Sequence, residues 1–224
     1  MLKKIIRSIE YYPDKYLILL LAMILMMASS TFFEDTISSH IFFSGIITLV
    51  LIAELYADQS NKLINHLPEM ILGAVALLMT WVQLYDISDK TLIFYSTLSY
   101  GIYFSYATYI LIKKIALTKQ ITLNILYASM AGYLLLGILG GIFATLTEIS
   151  YPNSYKIEMQ TKPYHFENFL YYSFITLTTV GYGDILPVKP LAKTLAILLA
   201  SFGQMYMTII MAMLIGKYLN NAQK

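Results

Sequence analysis

The chain has 224 residues, of which 58% are hydrophobic and only 12% charged, with a formal net charge of +2 and no cysteine. A soluble domain cannot dress so much apolar surface in charge, so the composition predicts an all-α or all-β integral membrane protein. The small charge, spread between apolar runs, gives no footing for nucleic acid, and the lack of cysteine excludes disulfides, thiolate metal sites and cysteine catalysis.

Six apolar runs follow in chain order: Tyr16–Phe33, Ile41–Ala57, Glu69–Tyr85, Leu92–Ile112, Ile121–Thr147 and Leu191–Lys217. A membrane span takes roughly 20 mainly apolar residues, and the runs lack the period-two alternation of a barrel strand, so helices are expected. The first run follows Lys3, Lys4 and Arg7, as a signal peptide would. No small-x-small cleavage site precedes Glu34-Asp35, so it is read as a retained transmembrane helix. Short polar breaks separate the early runs, at Glu34-Asp35-Thr36, Asp58–Pro68, Asp86–Lys90 and Lys113–Gln120.

The gap between the fifth and sixth runs is different. Glu148–Pro190 starts polar and turns apolar from Phe166 to Val180, too short a stretch to cross. It is expected to be a re-entrant helix and loop, tolerated at membrane depth where protein or water covers its backbone. With the N-terminus cytoplasmic, the inner side holds ten basic residues (Lys3, Lys4, Arg7, Lys15, Lys62, Lys113, Lys114, Lys119, Lys217 and Lys224). The outer side then holds five, Lys90, Lys156, Lys162, Lys189 and Lys193. That asymmetry predicts both termini inside and the re-entrant loop dipping from outside. There is no internal repeat, and one such loop cannot enclose an axis, so a homotetramer is expected.

The run Leu170-Tyr171-Tyr172-Ser173-Phe174-Ile175-Thr176-Leu177-Thr178-Thr179-Val180-Gly181-Tyr182-Gly183-Asp184 resembles the pore helix and signature sequence of potassium channels. Every position of Thr-x-Thr-Thr-Val-Gly-Tyr-Gly-Asp is met, and the resemblance extends from about Ile121 to Lys217. It implies a K⁺ site made by the carbonyls of Thr179, Val180, Gly181 and Tyr182, with the Thr179 hydroxyl below them. Gly181 and Gly183 suit the unusual backbone angles that aim successive carbonyls one way. Val180 and Tyr182 are then free to pack outward, with Tyr171 and Tyr172 in a collar where many members carry tryptophan. Asp184 would brace the filter with Thr178 at its base, and a pore helix over Glu167–Thr178 would turn its negative end to the cavity.

Further along, Gly203 stands where the family usually has a hinge glycine; close packing against a neighbouring helix is the competing reading, and the favoured one for Gly216. Gln204, Met207, Met211 and Ile215 share one helical face and are candidates to line the cavity. Glu148, Glu158 and Glu167 are candidates to gather cations at the mouth, although solvated loop charges serve as well for the first two. Glu54 and Glu69 read as interfacial charges, and His40, His66 and His165 are scattered without metal-ligand spacing.

The architecture expected is thus six transmembrane helices with a re-entrant pore helix and filter loop. Residues 1–119 would form a four-helix peripheral domain shaped like a voltage sensor, and 120–224 the pore domain. A voltage sensor needs several basic residues at every third position of its fourth helix, each worth about 2.3 kcal/mol per 100 mV. Thr91–Ile112 has none and is crowded instead by Tyr95, Tyr100, Tyr103, Tyr106 and Tyr109. Opening is therefore expected to be nearly independent of voltage. Only Tyr218–Lys224 follow the last run, so regulation is expected from lipid, tension, pH, the filter or a separate regulatory subunit. The expectation is a potassium-selective channel of the cell membrane with K⁺ as permeant ion, no cofactor and no enzymatic activity. The alternatives are a non-conducting or regulatory subunit of another channel, and a weakly selective cation channel.

Overall fold

The computed structural model describes residues 15–28, 36–57, 63–86, 89–118, 122–157 and 166–222, with backbone alone at 36–40, 43, 63–66, 211, 214 and 217–222. The seven helices among them are α1 (Lys15–Ala28), α2 (Thr36–Ala57), α3 (Leu63–Gln83), α4 (Lys90–Leu117), α5 (Leu123–Ser150), α6 (Phe166–Leu177) and α7 (Pro190–Ala222). Two short strands, β1 (Tyr155–Ile157) and β2 (Ile185–Pro187), form an antiparallel pair. The six long helices fall on the six apolar runs, and α6 falls on the re-entrant stretch.

Boundaries follow local chemistry. Asp89 caps α4 by accepting the Thr91 amide at 2.8 Å, and Thr118 ends it by donating its hydroxyl to the Lys114 carbonyl at 2.7 Å. α3 starts at Leu63, earlier than the sequence suggested, and takes in Pro68. The ring removes a single backbone bond near the helix start, and the helix carries on past it to Gln83.

Among the described residues, two helices are long and apolar enough to cross a membrane, Leu123–Ser150 and the Pro190–Ile210 part of α7. Lys15–Ala28, Ser44–Ala57 and Leu67–Gln83 are apolar but shorter. Six spans were expected; two stand among the described residues, and α4, although 28 residues long, is kept out of that class by the hydroxyls it carries.

α5 is the central wall. α6, α4, α1 and α7 all pack against it, while α1 pairs with α2 and α3 with α4. Only residues 118–122 separate α4 from α5, and the two helices pack directly, with Gly101 seated against Ile142 and Leu146. The interior of the first four helices is partly polar. Ser96 donates to Gln83 at 2.6 Å, Tyr100 to Thr80 at 2.6 Å, and Tyr103 to the Glu54 carboxylate at 2.7 Å. Glu54 and Glu69 are 3% and 1% exposed, so the interfacial charges expected at these positions are instead core groups. A carboxylate there needs polar partners, and the α4 tyrosine supplies one across the bundle. His40, His66 and His165 lie outside the described side chains.

Candidate functional site: the α6 loop

The short helix α6 is held by a seam of small residues. A side chain at Gly141 of α5 would stand 2.9 Å from the Leu170 Cα, and one at Gly137 or Gly140 would overlap Phe174 or Ser173. Ser173 fills the seam by donating to the Gly137 carbonyl at 2.6 Å. From the other side, Gly203 of α7 leaves room for the Leu177 carbonyl. Close backbone approach between helices in this way is a recurrent device of membrane proteins.

The chain beyond α6 folds back onto its last turn. The Phe174 carbonyl accepts the Thr178 amide (2.9 Å) and hydroxyl (2.7 Å). The Thr176 carbonyl accepts the Thr179 amide at 3.0 Å, and the Ile175 carbonyl accepts the Gly181 amide at 3.1 Å. Carbonyls expected to face a water cavity are thus partly spent in fixing the loop. The Leu177 carbonyl meets Gly203 and, at 3.5 Å, the Tyr133 hydroxyl.

The backbone then alternates. Thr179, Gly181 and Gly183 take φ of 62°, 55° and 84°, with the residues between them on the ordinary side. Alternate left-handed residues turn successive peptide planes so that carbonyls need not point to opposite sides, as they do in a strand. Glycine adopts this geometry freely; Thr179, which is β-branched, does so against its preference by roughly 1–2 kcal/mol. Such strain is held only where the surroundings impose it, and it concentrates at functional segments. Thr178, Thr179, Val180, Gly181 and Tyr182 are all uncovered by their own chain, Val180 at 53% and Tyr182 at 73% exposure.

Past the loop, Asp184 is tied on two sides. Its carboxylate accepts the Ile185 amide at 3.1 Å and is hydrogen-bonded by the Tyr171 hydroxyl, which that bond pushes up to about 12. Tyr171 and Tyr172 part company here. Tyr171 lies exposed beside Asp184 and Tyr182, whereas Tyr172 is buried, its ring 5.1 Å from that of Tyr155 in an edge contact. Tyr155 also meets Phe169 at 5.2 Å, and its burial raises the pKa of its hydroxyl.

Glu148 overturns its sequence reading. It is 5% exposed, and its carboxylate accepts the amides of Asn153 (2.8 Å), Ser154 (2.8 Å) and Tyr155 (3.0 Å). It organises a turn instead of standing in solvent. The Pro152-Asn153-Ser154 turn signal, with Asn153 at φ 64°, was the available clue. Glu158 lies outside the described residues.

On α7, Gly203 is buried, while Gln204, Met207 and Ile215 are uncovered by their own chain; the Met211 side chain lies outside the described residues. Sequence reasoning missed Tyr206, which is buried and donates to the Ser129 carbonyl of α5 at 2.8 Å beside the Tyr133 ring. Of the α7 span window, 17% is buried against 56% for α5, so among the described residues most of that window has no covering neighbour.

Residues 121–220 match the family model described as Ion channel. The matched segment runs from the approach to α5 almost to the end of α7 and contains α6, the whole loop and Asp184. It supports an ion channel subunit in a membrane, in contact with ions and lipid, and favours a channel over an enzyme. Comparison with curated proteins and with solved structures gave no significant match.

Proposed function

We propose that this chain is the subunit of a homotetrameric, potassium-selective channel that passes K⁺ passively across the cell membrane. The observation that carries the reading is the alternation of left-handed backbone at Thr179, Gly181 and Gly183 within a segment its own chain leaves bare. Four such segments around one axis would present rings of carbonyl oxygens from Thr179, Val180, Gly181 and Tyr182, with the Thr179 hydroxyl beneath, in place of the hydration shell of K⁺. Val180 and Tyr182 then pack on neighbouring copies, and the bare face of α7 supplies contact and cavity surface, with Gln204, Met207, Met211 and Ile215 toward the cavity.

In this reading residues 120–224 form the pore and 1–119 a peripheral domain, with both termini cytoplasmic and the filter opening outward. K⁺ is the permeant ion and no cofactor is needed. α4 holds no basic residue between Lys90 and Lys113, so opening draws little energy from the membrane potential.

The test is reconstitution of the purified full chain, with reversal potentials measured in opposed K⁺ and Na⁺ gradients and subunit number measured by native mass. A reversal potential that follows K⁺ alone, from a tetramer, is the expected result. Equal permeability to Na⁺ would make it a weakly selective cation channel. Absence of flux from an intact tetramer would favour the regulatory-subunit reading.

A further inference from the structure

We infer that Glu54 and Tyr103 together form a proton-binding site inside the first four helices, through which pH acts on the pore. The site itself is independent of the potassium-channel reading above; its effect on the pore rests on that reading. The Tyr103 hydroxyl stands between two acceptors on one turn of α2, 2.7 Å from Glu54 Oε2 and 3.4 Å from the Leu51 carbonyl. Both side chains are buried. The phenol ring is fixed in place: Gly73 of α3 gives it room, a Cβ there standing only 3.2 Å from Tyr103 Cε2, and the Phe104 ring meets it edge-on at 5.2 Å. α4 holds no basic residue between Lys90 and Lys113, so over this stretch it offers the carboxylate a neutral hydroxyl in place of a fixed cation.

That placement serves two protonation states with little movement of heavy atoms. With Glu54 ionised, Tyr103 donates to its carboxylate, and such a charge-assisted bond is roughly twice as strong as a neutral one. When a proton from water binds Oε2, the new O–H becomes the donor, to the Tyr103 oxygen, and the phenol turns its own O–H to the Leu51 carbonyl. One charge disappears, and neither hydroxyl is left without an acceptor. Burial of a polar group is tolerated on that condition.

Among the described residues, the other titratable side chains that the surrounding helices bring to this interior are Lys15 and Tyr16 of α1, Glu69 of α3, and Tyr100 and Lys114 of α4. Tyr100 is engaged with Thr80, and Lys114 Nζ lies 5.4 Å from the Tyr16 ring centre. The link to the pore is short. Two residues before Tyr103, Gly101 is seated against Ile142 and Leu146 of α5, and α5 carries the pore helix on Gly137, Gly140 and Gly141. Exchanging one charge-assisted bond for two neutral ones alters the joint between α2 and α4, and α5 passes the change to the frame of the loop.

The experiment titrates the reconstituted full chain from neutral to acid pH and reads it in two ways. Infrared difference spectra should show a protonated-carboxyl stretch that grows on acidification and is absent in Glu54→Gln. K⁺ flux should change over the same pH range in the wild type. E54Q should lose that response and hold at every pH the flux that wild type reaches in acid, because its amide donates to Tyr103 as the neutral carboxyl does. Tyr103→Phe keeps the carboxyl, removes its partner and serves should E54Q fail to assemble. There the carboxyl band should shift in frequency and the midpoint of the flux response should move by roughly one to two pH units, the equivalent of one lost hydrogen bond to a charged group. A role confined to stability would lower the yield of either variant and leave the band and the flux response untouched, which overturns the inference. A response that survives E54Q and disappears in Glu69→Gln overturns it as well. Wild-type vesicles without K⁺-selective flux would overturn the channel reading instead, and the infrared band alone then decides the proton site.

Discussion

Replacing Gly203 with alanine distinguishes packing from hinge. The added Cβ would lie 2.5 Å from the Leu177 carbonyl oxygen and 2.8 Å from its Cδ1. A carbon and a carbonyl oxygen approach to about 3.3 Å, so α7 or the end of α6 must give by roughly 0.8 Å. The obstacle is backbone and cannot swing aside, and Leu177 immediately precedes Thr178 at the base of the proposed filter. Overpacking of this kind costs about 1–3 kcal/mol per site, so roughly 4–12 kcal/mol over four copies. G203A should therefore lower the dissociation temperature of the detergent-solubilised tetramer and degrade K⁺/Na⁺ selectivity together. Gly216, with nothing within 4 Å of a built Cβ, is the internal control; alanine there should be neutral or stabilise α7 by up to about 1 kcal/mol. If G203A melts with the wild type and changes only the fraction of time open, the packing argument is wrong and the hinge stands.

Gly181→Ala meets no neighbouring atom in its own chain but forces a side chain into φ 55°, at about 1–2 kcal/mol for each subunit. Selective K⁺ flux through proteoliposomes should vanish while the tetramer remains extractable; surviving selective current would place the filter elsewhere. Tyr103→Phe removes the hydroxyl that donates to the Glu54 carboxylate at 2.7 Å, a bond to a charged group worth about 1.5–3 kcal/mol. It should lower thermal stability with the reversal potential unchanged, and an unaltered melting curve would refute the assignment of Glu54 to the core. Conductance measured against voltage in purified channels without blocker should be shallow, because α4 holds no basic residue between Lys90 and Lys113 to move through the field; a steep curve would show that charge elsewhere does the work.

What the sequence disclosed depended on how local the cause was. The helices were legible because apolar runs of span length leave few other solutions, and the loop because two glycines spaced by one tyrosine follow an apolar segment too short to cross. Thr179 was not legible as a left-handed residue. Its β-branched side chain argues against that geometry, and only the hydrogen bond to the Thr176 carbonyl and the fold-back of Gly181 onto Ile175 impose it. The acidic residues were misjudged for a related reason. Glu54 finds Tyr103 across the bundle, 49 positions away. Glu148, by contrast, meets a turn only five to seven positions on. Charge next to a break reads as solvent-facing until the partner that buries it is known. Tyr206 was invisible because its worth lies in a glycine, Gly132, on another helix, which leaves space for its hydroxyl.

The four N-terminal helices retain a reason to exist without sensor charges. α1 and α4 cover the side of α5 that α6 and α7 leave open, and α5 is where the pore helix seats through Gly137, Gly140 and Gly141 and where Glu148 begins its tie to β1. Residues 118–122 are too short a link for α4 to move far without α5, so both helices behave as one wall. The polar pairs that hold α4, Gln83 with Ser96 and Thr80 with Tyr100, are neutral and gain nothing from a change in voltage. A backbone filter discriminates ions only as well as its frame keeps four strands in register. In the channel we propose, a peripheral domain that has exchanged moving charges for fixed hydrogen bonds acts on the filter through stiffness, and its substitutions should register in stability before they register in gating.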